Sequence, residues 1–331
     1  KDLKNKKTEK LKLKLKKELE SVNLTKEFDL QFSENYQLDP KENSRFAINS
    51  YIFSAHSYEK RQSMYFKLIN TPEQVEAIIY YSEGHNKYVL EQQVYTTNCP
   101  LKITKEEDKW KISFNGYLKK NNKDNAKFTF SAKFESENEV LERNTNIKFN
   151  NLFHTFKKQK NYQEKIKELQ KDKKITYDQL GKLKGRLILE GQNVTIDVSC
   201  IKCHMFGECD YSAKNNHVDL MIADNDTQVN FHVISEHNMP LLEVGNYRKN
   251  KSTINFIDSV IYERQLINRG LAPSNLNVLL KLDNKREIAL HIKKLDEIEL
   301  LIQEQYDIIC EIKDKLTEKN SFILKAFHNK I

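Results

Sequence analysis

Glycine and proline are scarce in this sequence, at 8 and 5 of 331 residues. That excludes collagen-like repeats and Gly/Pro-rich low-complexity chains. No apolar run approaches the roughly 18 residues that a membrane-spanning helix needs. No glycine-rich phosphate loop of the G-x-x-x-x-G-K-[ST] kind occurs, so phosphotransfer by this chain itself is not expected. The five cysteines, Cys99, Cys200, Cys203, Cys209 and Cys310, are odd in number and unevenly spaced. They do not read as a disulfide framework, and reduced thiols in a cytoplasmic setting fit slightly better. The chain opens on Lys1 rather than Met, so no targeting signal is read from its start, and localisation is otherwise left open.

What is present begins with charge. The net charge is +8, but residues 1–17 carry nine lysines against Asp2 and Glu9, which is +7 and leaves +1 for the remainder. A basic globular face for nucleic acid is therefore not indicated. Lys1 to Lys17 reads as a solvated helical tail whose functional alternative is weak contact with an anionic membrane surface.

From Phe46 the hydrophobic period is two. "KWKISFNGYL" sets Trp110, Ile112 and Phe114 opposite Lys111, Ser113 and Asn115, and "AKFTFSAKF" sets Phe128, Phe130, Ala132 and Phe134 opposite Lys127, Thr129, Ser131 and Lys133. Such alternation marks half-buried antiparallel strands. Other strands are expected at 46–57, 61–69, 75–82, 87–95 and 100–104. A second series is expected at 182–190, 193–201, 204–211, 217–223, 227–236, 241–247, 252–258, 276–282 and 286–293. Between the two series, residues 156–175 are rich in Lys, Glu and Gln and read as a helix. After them, Leu295, Ile298, Ile302, Ile309, Ile312 and Leu316 fall on 3–4 spacing. This reads as a C-terminal amphipathic helix, either packed on its own barrel or forming a dimer.

The segment "CIKCHMFGECDY", residues 200–211, concentrates thiols and a histidine. Cys200, Cys203, His204 and Cys209 are the candidate zinc ligands. A structural zinc site wants two chelating pairs, however, and the second pair is missing. Residues 200 and 203 of a strand also point to opposite faces. The C-x-x-C-H pattern of haem attachment lacks any further support. No metal or other cofactor is expected. His204 with Asp210 is the one candidate acid/base pair, and a structural hydrogen bond between them is the plainer expectation.

The wider context resembles a known family. "YDQLGKLKG", two strands, then His204, Gly207, Asp210 and the aromatic Tyr211 resemble the second half of the two-barrel, lipocalin-like superfamily that includes carotenoid hydratases of the hydroxyneurosporene synthase type. Within it, the N-terminal region of animal proteins named phosphoenolpyruvate synthase is the nearest likeness. "DKWKISFNGYL" is similar to that family's Trp-Arg-Ile-Ser-Phe-Asn-Gly-Leu strand. Cys203, Met205 and Cys209 stand where the family has an acid, a serine and an arginine. The resemblance spans roughly residues 28 to 293. It implies a mainly β fold of two tandem antiparallel lipocalin-like β-barrels joined by a helical linker, with N- and C-terminal helices. The expected boundaries are a basic tail at 1–27, a first barrel at 28–150, a linker at 151–178, a second barrel at 179–293 and the amphipathic helix at 294–331.

A barrel of about eight strands holds side chains or one small ligand. The strand phases place Phe128, Phe130, Leu220, Ile222, Phe231 and Val233 inward, and the resemblance adds Tyr211, as candidate ligand-binding residues. The expected function is a non-catalytic module for a small lipophilic molecule, a lipid or isoprenoid. The alternatives are a degenerate hydratase or isomerase, and an accessory part of a phosphoenolpyruvate synthase-like phosphotransferase.

Overall fold

A computed structural model describes residues 47–57, 60–91, 94–136, 138–142, 175–208, 215–223, 227–236, 239–249, 254–262, 275–300, 305–314 and 320–327, together with Glu9, Lys10, Leu13, Lys14 and Lys17. Those five N-terminal residues are helical and exposed, as the lysine-rich composition leads one to expect. All else that is regular is antiparallel strand. The expected linker helix lies outside the described residues.

The first sheet runs through β1 (Ala47–Ser57), β2 (Gln62–Asn70), β3 (Val75–Glu83), β4 (Asn86–Val89), β7 (Lys109–Lys120), β8 (Asp124–Glu135), β10 (Ile175–Leu189) and β11 (Gln192–Glu208). The short strands β5 (Val94–Tyr95), β6 (Leu101–Glu106) and β9 (Leu141–Glu142) attach to β3, β7 and β10. β11 pairs with β10 on one side and with β1 on the other, so the hydrogen-bonded path returns to its start. Alternation decides which side chains turn inward. On β7 and β8, Trp110, Ile112, Phe114, Phe128, Phe130 and Phe134 are buried in one core with Phe53, Phe66, Tyr81 and Leu183. The opposite face of these strands carries a lysine and glutamate ladder, with Lys109 and Lys184 on Glu135, and Lys111 and Lys133 on Glu106. Such exposed pairs add little stability each. The first strands are different, because β1 to β3 are also buried on their outer side. There Ile52, Tyr65, Ile78 and Tyr80 cluster with Leu180, Ile201 and Cys203.

Two glycines let β10 close against β8. A Cβ on Gly185 would stand 2.2 Å from Ser131 O and 2.4 Å from Ala132 Cα, and one on Gly181 would stand 2.3 Å from Glu135 O. No side chain fits at such distances.

The second unit is a closed barrel of eight strands: β12 (Asn215–Ala223), β13 (Thr227–Glu236), β14 (Met239–Lys249), β15 (Asn255–Tyr262), β16 (Asn275–Leu282), β17 (Glu287–Leu300), β18 (Gln305–Asp314) and β19 (Asn320–Phe327). Val278, Leu280, Leu282, Ile288 and Leu290 are buried and alternate with exposed Asn277, Glu287 and Ala289, so the apolar set faces inward.

Three expectations are corrected. Residues 204–211 are not a separate strand, since β11 is continuous from Gln192 to Glu208. The boundary placed at residue 179 falls inside the first sheet, because β10 is needed beside β8 and β11 beside β1. The C-terminal amphipathic helix is replaced by β18 and β19, which join β17 to β12 and satisfy the edges those strands would otherwise expose. A dimer through that helix therefore has no helix at 305–314 or 320–327 to act through.

Candidate functional site

Inward positions of β11 run Ile196, Val198, Cys200, Lys202, His204 and Phe206, and all are buried. The first three continue the apolar core. At Lys202 and His204 the wall turns polar. The register sets Tyr51 of β1 and Tyr177 of β10 on either side of His204.

His204 is held by both ring nitrogens. Its Nε2 lies 2.7 Å from Asn49 Oδ1, and its Nδ1 lies 2.8 Å from the Tyr177 hydroxyl. Asn49 Nδ2 donates to the Tyr51 hydroxyl at 3.2 Å, which fixes the amide with its oxygen toward the imidazole. An amide oxygen only accepts, so Nε2 carries the proton and Nδ1 accepts from Tyr177 O–H. Burial pushes the His204 pKa well below its ordinary value, and the Lys202 charge pushes it further, so the ring is neutral. Tyr51 stacks on it with ring centres 4.3 Å apart, and Tyr177 meets it edge-on at 5.1 Å.

Lys202 is 0% exposed. Its Nζ stands 4.9 Å from the centre of the Trp110 ring, 5.2 Å from Tyr177 and 5.8 Å from Phe134. Ring faces attract a cation, most strongly when water is absent. Farther along the interior, Phe66 stacks on Phe130 at 4.5 Å, and Phe128 packs against Tyr81 and Phe114. The concave face thus has an aromatic end and a polar end.

The three stretches that carried the family resemblance converge here. "DKWKISFNGYL" supplies Trp110, "TYDQLGKLKG" supplies Tyr177, and "CIKCHMFG" supplies Lys202 and His204. Within the second stretch, Gln179 Nε2 also donates to Asn138 O at 3.0 Å, and Leu183 is buried in the core.

The remaining candidates fall in different places. Cys200 is in the inward core and Cys203 in the outward cluster, so the two thiols of C-x-x-C cannot converge on one ion. Burial raises the Cys200 pKa far above its usual range, which makes the thiol inert. Among the described residues, no group of three His, Cys, Asp or Glu side chains stands close enough to hold a metal. Cys209, Asp210 and Tyr211, and with them the expected His204–Asp210 pair, lie outside the described residues. Phe128 and Phe130 are buried in the first core, and Phe231 is buried on the inner face of the second barrel. Leu220 and Ile222 stand opposite Phe231 and Val229, and Val233 opposite Val218, but the side chains of Leu220, Ile222 and Val233 lie outside those described.

Comparison with known proteins comes from structure alone. No protein-family model matches the chain, and no curated protein is similar to it. Solved structures share its fold. An AttH-like protein from Nitrosomonas europaea matches with a TM-score of 0.60 at 9% identity, over 92% of this chain and 98% of that one. CghA solved with Sch210972 matches at 0.52 and 6% identity, over 86% and 89% of the two chains. CghA alone matches at 0.51 and 7% identity, over 89% and 90%. At these identities the likeness is one of fold alone, a β-barrel architecture, and none of the neighbours supports a link to phosphoenolpyruvate synthase.

Besides Asn49 and Tyr177, two buried polar residues escape the sequence reading. Lys202 was passed over because a lysine in a strand normally faces water. Its phase with Ile196, Val198 and His204 is the signal that places it inside. His56 carries no motif in the sequence, and it is buried on the outer face of β1. It is bonded there to Ser54 Oγ at 3.2 Å and Ser63 Oγ at 3.1 Å.

Proposed function

We propose that this chain is a lipocalin-like carrier of a small, mainly apolar molecule with one polar oxygen end. On this reading the first sheet is a barrel like the second, and the two stand in tandem. The guest lies inside the first, its apolar body against the aromatic end and its oxygen toward Lys202 and Tyr177.

The observation that carries the reading is the fully buried polar cluster on an otherwise greasy concave wall. A cation caged by three rings beside a bonded, neutral imidazole suits the oriented capture of one polar group, as ligand sites in apolar pockets do. That CghA has been solved with the compound Sch210972 supports the idea that this fold can hold a guest.

The test is native mass spectrometry of the purified full chain before and after organic extraction, followed by titration with retinol as probe. A mass released by extraction, together with retinol binding that Lys202→Met weakens about tenfold, supports the carrier. A chain that releases nothing and neither enhances retinol fluorescence nor loses Trp110 emission on titration sinks it.

One observation favours a second reading, an isomerase or hydratase. Tyr177 O–H points at a neutral imidazole, so the pair could pass a proton to a bound alkene or enol. Turnover of an added substrate that Tyr177→Phe abolishes, with binding retained, would select this reading over the carrier.

A further inference from the structure

Charge is not shared evenly around the first sheet. Residues 18–331 sum to only +1, yet the outward face of β6, β7, β8, β10 and β11 is strongly basic. The register shows how. Lys111 of β7 stands opposite Lys133 of β8, and Lys133 stands opposite Lys184 of β10, so three lysines lie side by side across three strands. The neighbouring row places Lys102 and Arg186 at either side of Ser113 and Ser131. Beyond the lysine row, Glu135 is in register with Lys182 and pairs with Lys109 at 2.6 Å. With Lys119 and Lys127, the exposed and half-buried outward positions of these strands hold nine bases against three acids, Glu106, Glu135 and Asp197. Seven of the nine bases are exposed and the other two half-buried, so this face is open to solvent. At about 4.8 Å between strands, the platform is roughly 20 Å wide.

Like charges placed directly opposite one another cost a sheet stability. Glu106 and Glu135 offset part of that cost, since each contacts two lysines. Lys102, Lys182 and Arg186 have no carboxylate partner among the described residues. A second observation falls on the same face. Of the four large apolar side chains exposed among the described residues, two stand here, Tyr117 at 61% and Ile188 at 40%. Tyr117 is opposite Lys127, whose Nζ lies 4.9 Å from the centre of its ring, and Ile188 is opposite Thr129 one row away.

We propose that this outward face docks the protein on an anionic phospholipid membrane. The bases meet the headgroup phosphates, and Tyr117 and Ile188 enter the interfacial layer. Each lysine or arginine near an anionic bilayer adds roughly fivefold in affinity. Tyrosine is favoured at headgroup level, where its ring meets apolar matter and its hydroxyl meets water. A nucleic acid fits this face less well. Sheets that bind single strands stack bases on several aromatic rings, and this face carries one. The lysines of residues 1–17 have the same sign and add to the same attraction. The surface lies on the outside of the first sheet, so the proposal stands whether or not the interior carries a guest.

The experiment is co-sedimentation of the full chain with phosphatidylcholine vesicles containing about 30% phosphatidylserine, against vesicles of phosphatidylcholine alone. Binding to the anionic vesicles only, weakening as salt is raised, is expected. Lys102→Glu, Lys182→Glu and Arg186→Glu together bring the face to neutrality. That variant should bind at least tenfold more weakly, with its melting temperature and retinol binding as in the parent. Tyr117→Ser should lose severalfold of the binding that survives at high salt. Changing all nine lysines of residues 1–17 to glutamine should weaken binding less than the triple reversal does. Acetylation of the parent needs no variant: vesicles should protect Lys102, Lys127 and Lys182. No binding to anionic vesicles, a triple variant that binds like the parent, or protection confined to residues 1–17 overturns the proposal. Tighter binding to single-stranded RNA than to the vesicles overturns it in favour of nucleic acid.

Discussion

His204 shows how a single side chain can be determined from both ends. Asn49 accepts from one nitrogen and Tyr177 donates to the other, and the Asn49 amide is itself fixed by Tyr51. Removing the phenolic oxygen leaves a buried nitrogen without a donor. Tyr177→Phe should therefore cost about 1–3 kcal/mol of stability, read as a lower urea midpoint with an unchanged slope. The same residue scale explains what was legible in the sequence and what was not. His204 stood out by its motif and Trp110 by its alternation. Lys202 did not, because side-chain chemistry alone says solvent, and only its phase within a strand says interior. Asn49 carried no signal at all: its role comes from pairing with a strand about 150 residues away.

At the scale of elements, period-two patterns announced most of the strands to within a few residues, Trp110–Ile112–Phe114 and Phe128–Phe130–Phe134 most clearly. The C-terminal segment misled because an isoleucine-rich stretch can satisfy two periods at once. Ile309 and Ile312 fit a helical seam, while Ile308, Cys310 and Ile312 fit a strand face. Closure decides between them, since without β18 and β19 the strands β12 and β17 keep open edges. A chain ending at residue 304 is accordingly expected to lose the barrel and aggregate, which size-exclusion chromatography with light scattering would show. The glycines of β10 make a second element-scale prediction. Gly185→Ala places a methyl where Ser131 O and Ala132 Cα already stand. The strands must then part, and a loss of about 3 kcal/mol or more, or failure to fold, should appear in thermal unfolding. The same change at Gly191, where nothing crowds the added carbon, meets only the strain of a left-handed backbone.

For the molecule as a whole, buried histidines set a response to acid. Burial lowers the His56 pKa to about 3, and His204 shifts in the same direction. Unfolding restores both to about 6.5, so below that pH the unfolded chain binds more protons than the folded one. Stability from these groups is complete above pH 6.5 and drains away as the pH falls toward 3, by on the order of a few kcal/mol for His56. Urea unfolding followed from pH 7 to pH 4 should show the decline, and His56→Gln should flatten its slope.

The pairing of β1 with β11 also sets a schedule for synthesis. Ala47 waits for Glu208 as its partner, so the first eight-strand circuit cannot shut until some 160 further residues have left the ribosome. Throughout that interval the nascent chain offers two raw margins, β1 and β8, to any passing extended segment. Holding those margins apart from their neighbours is thus a demand that falls on the cell's folding helpers before any ligand is met.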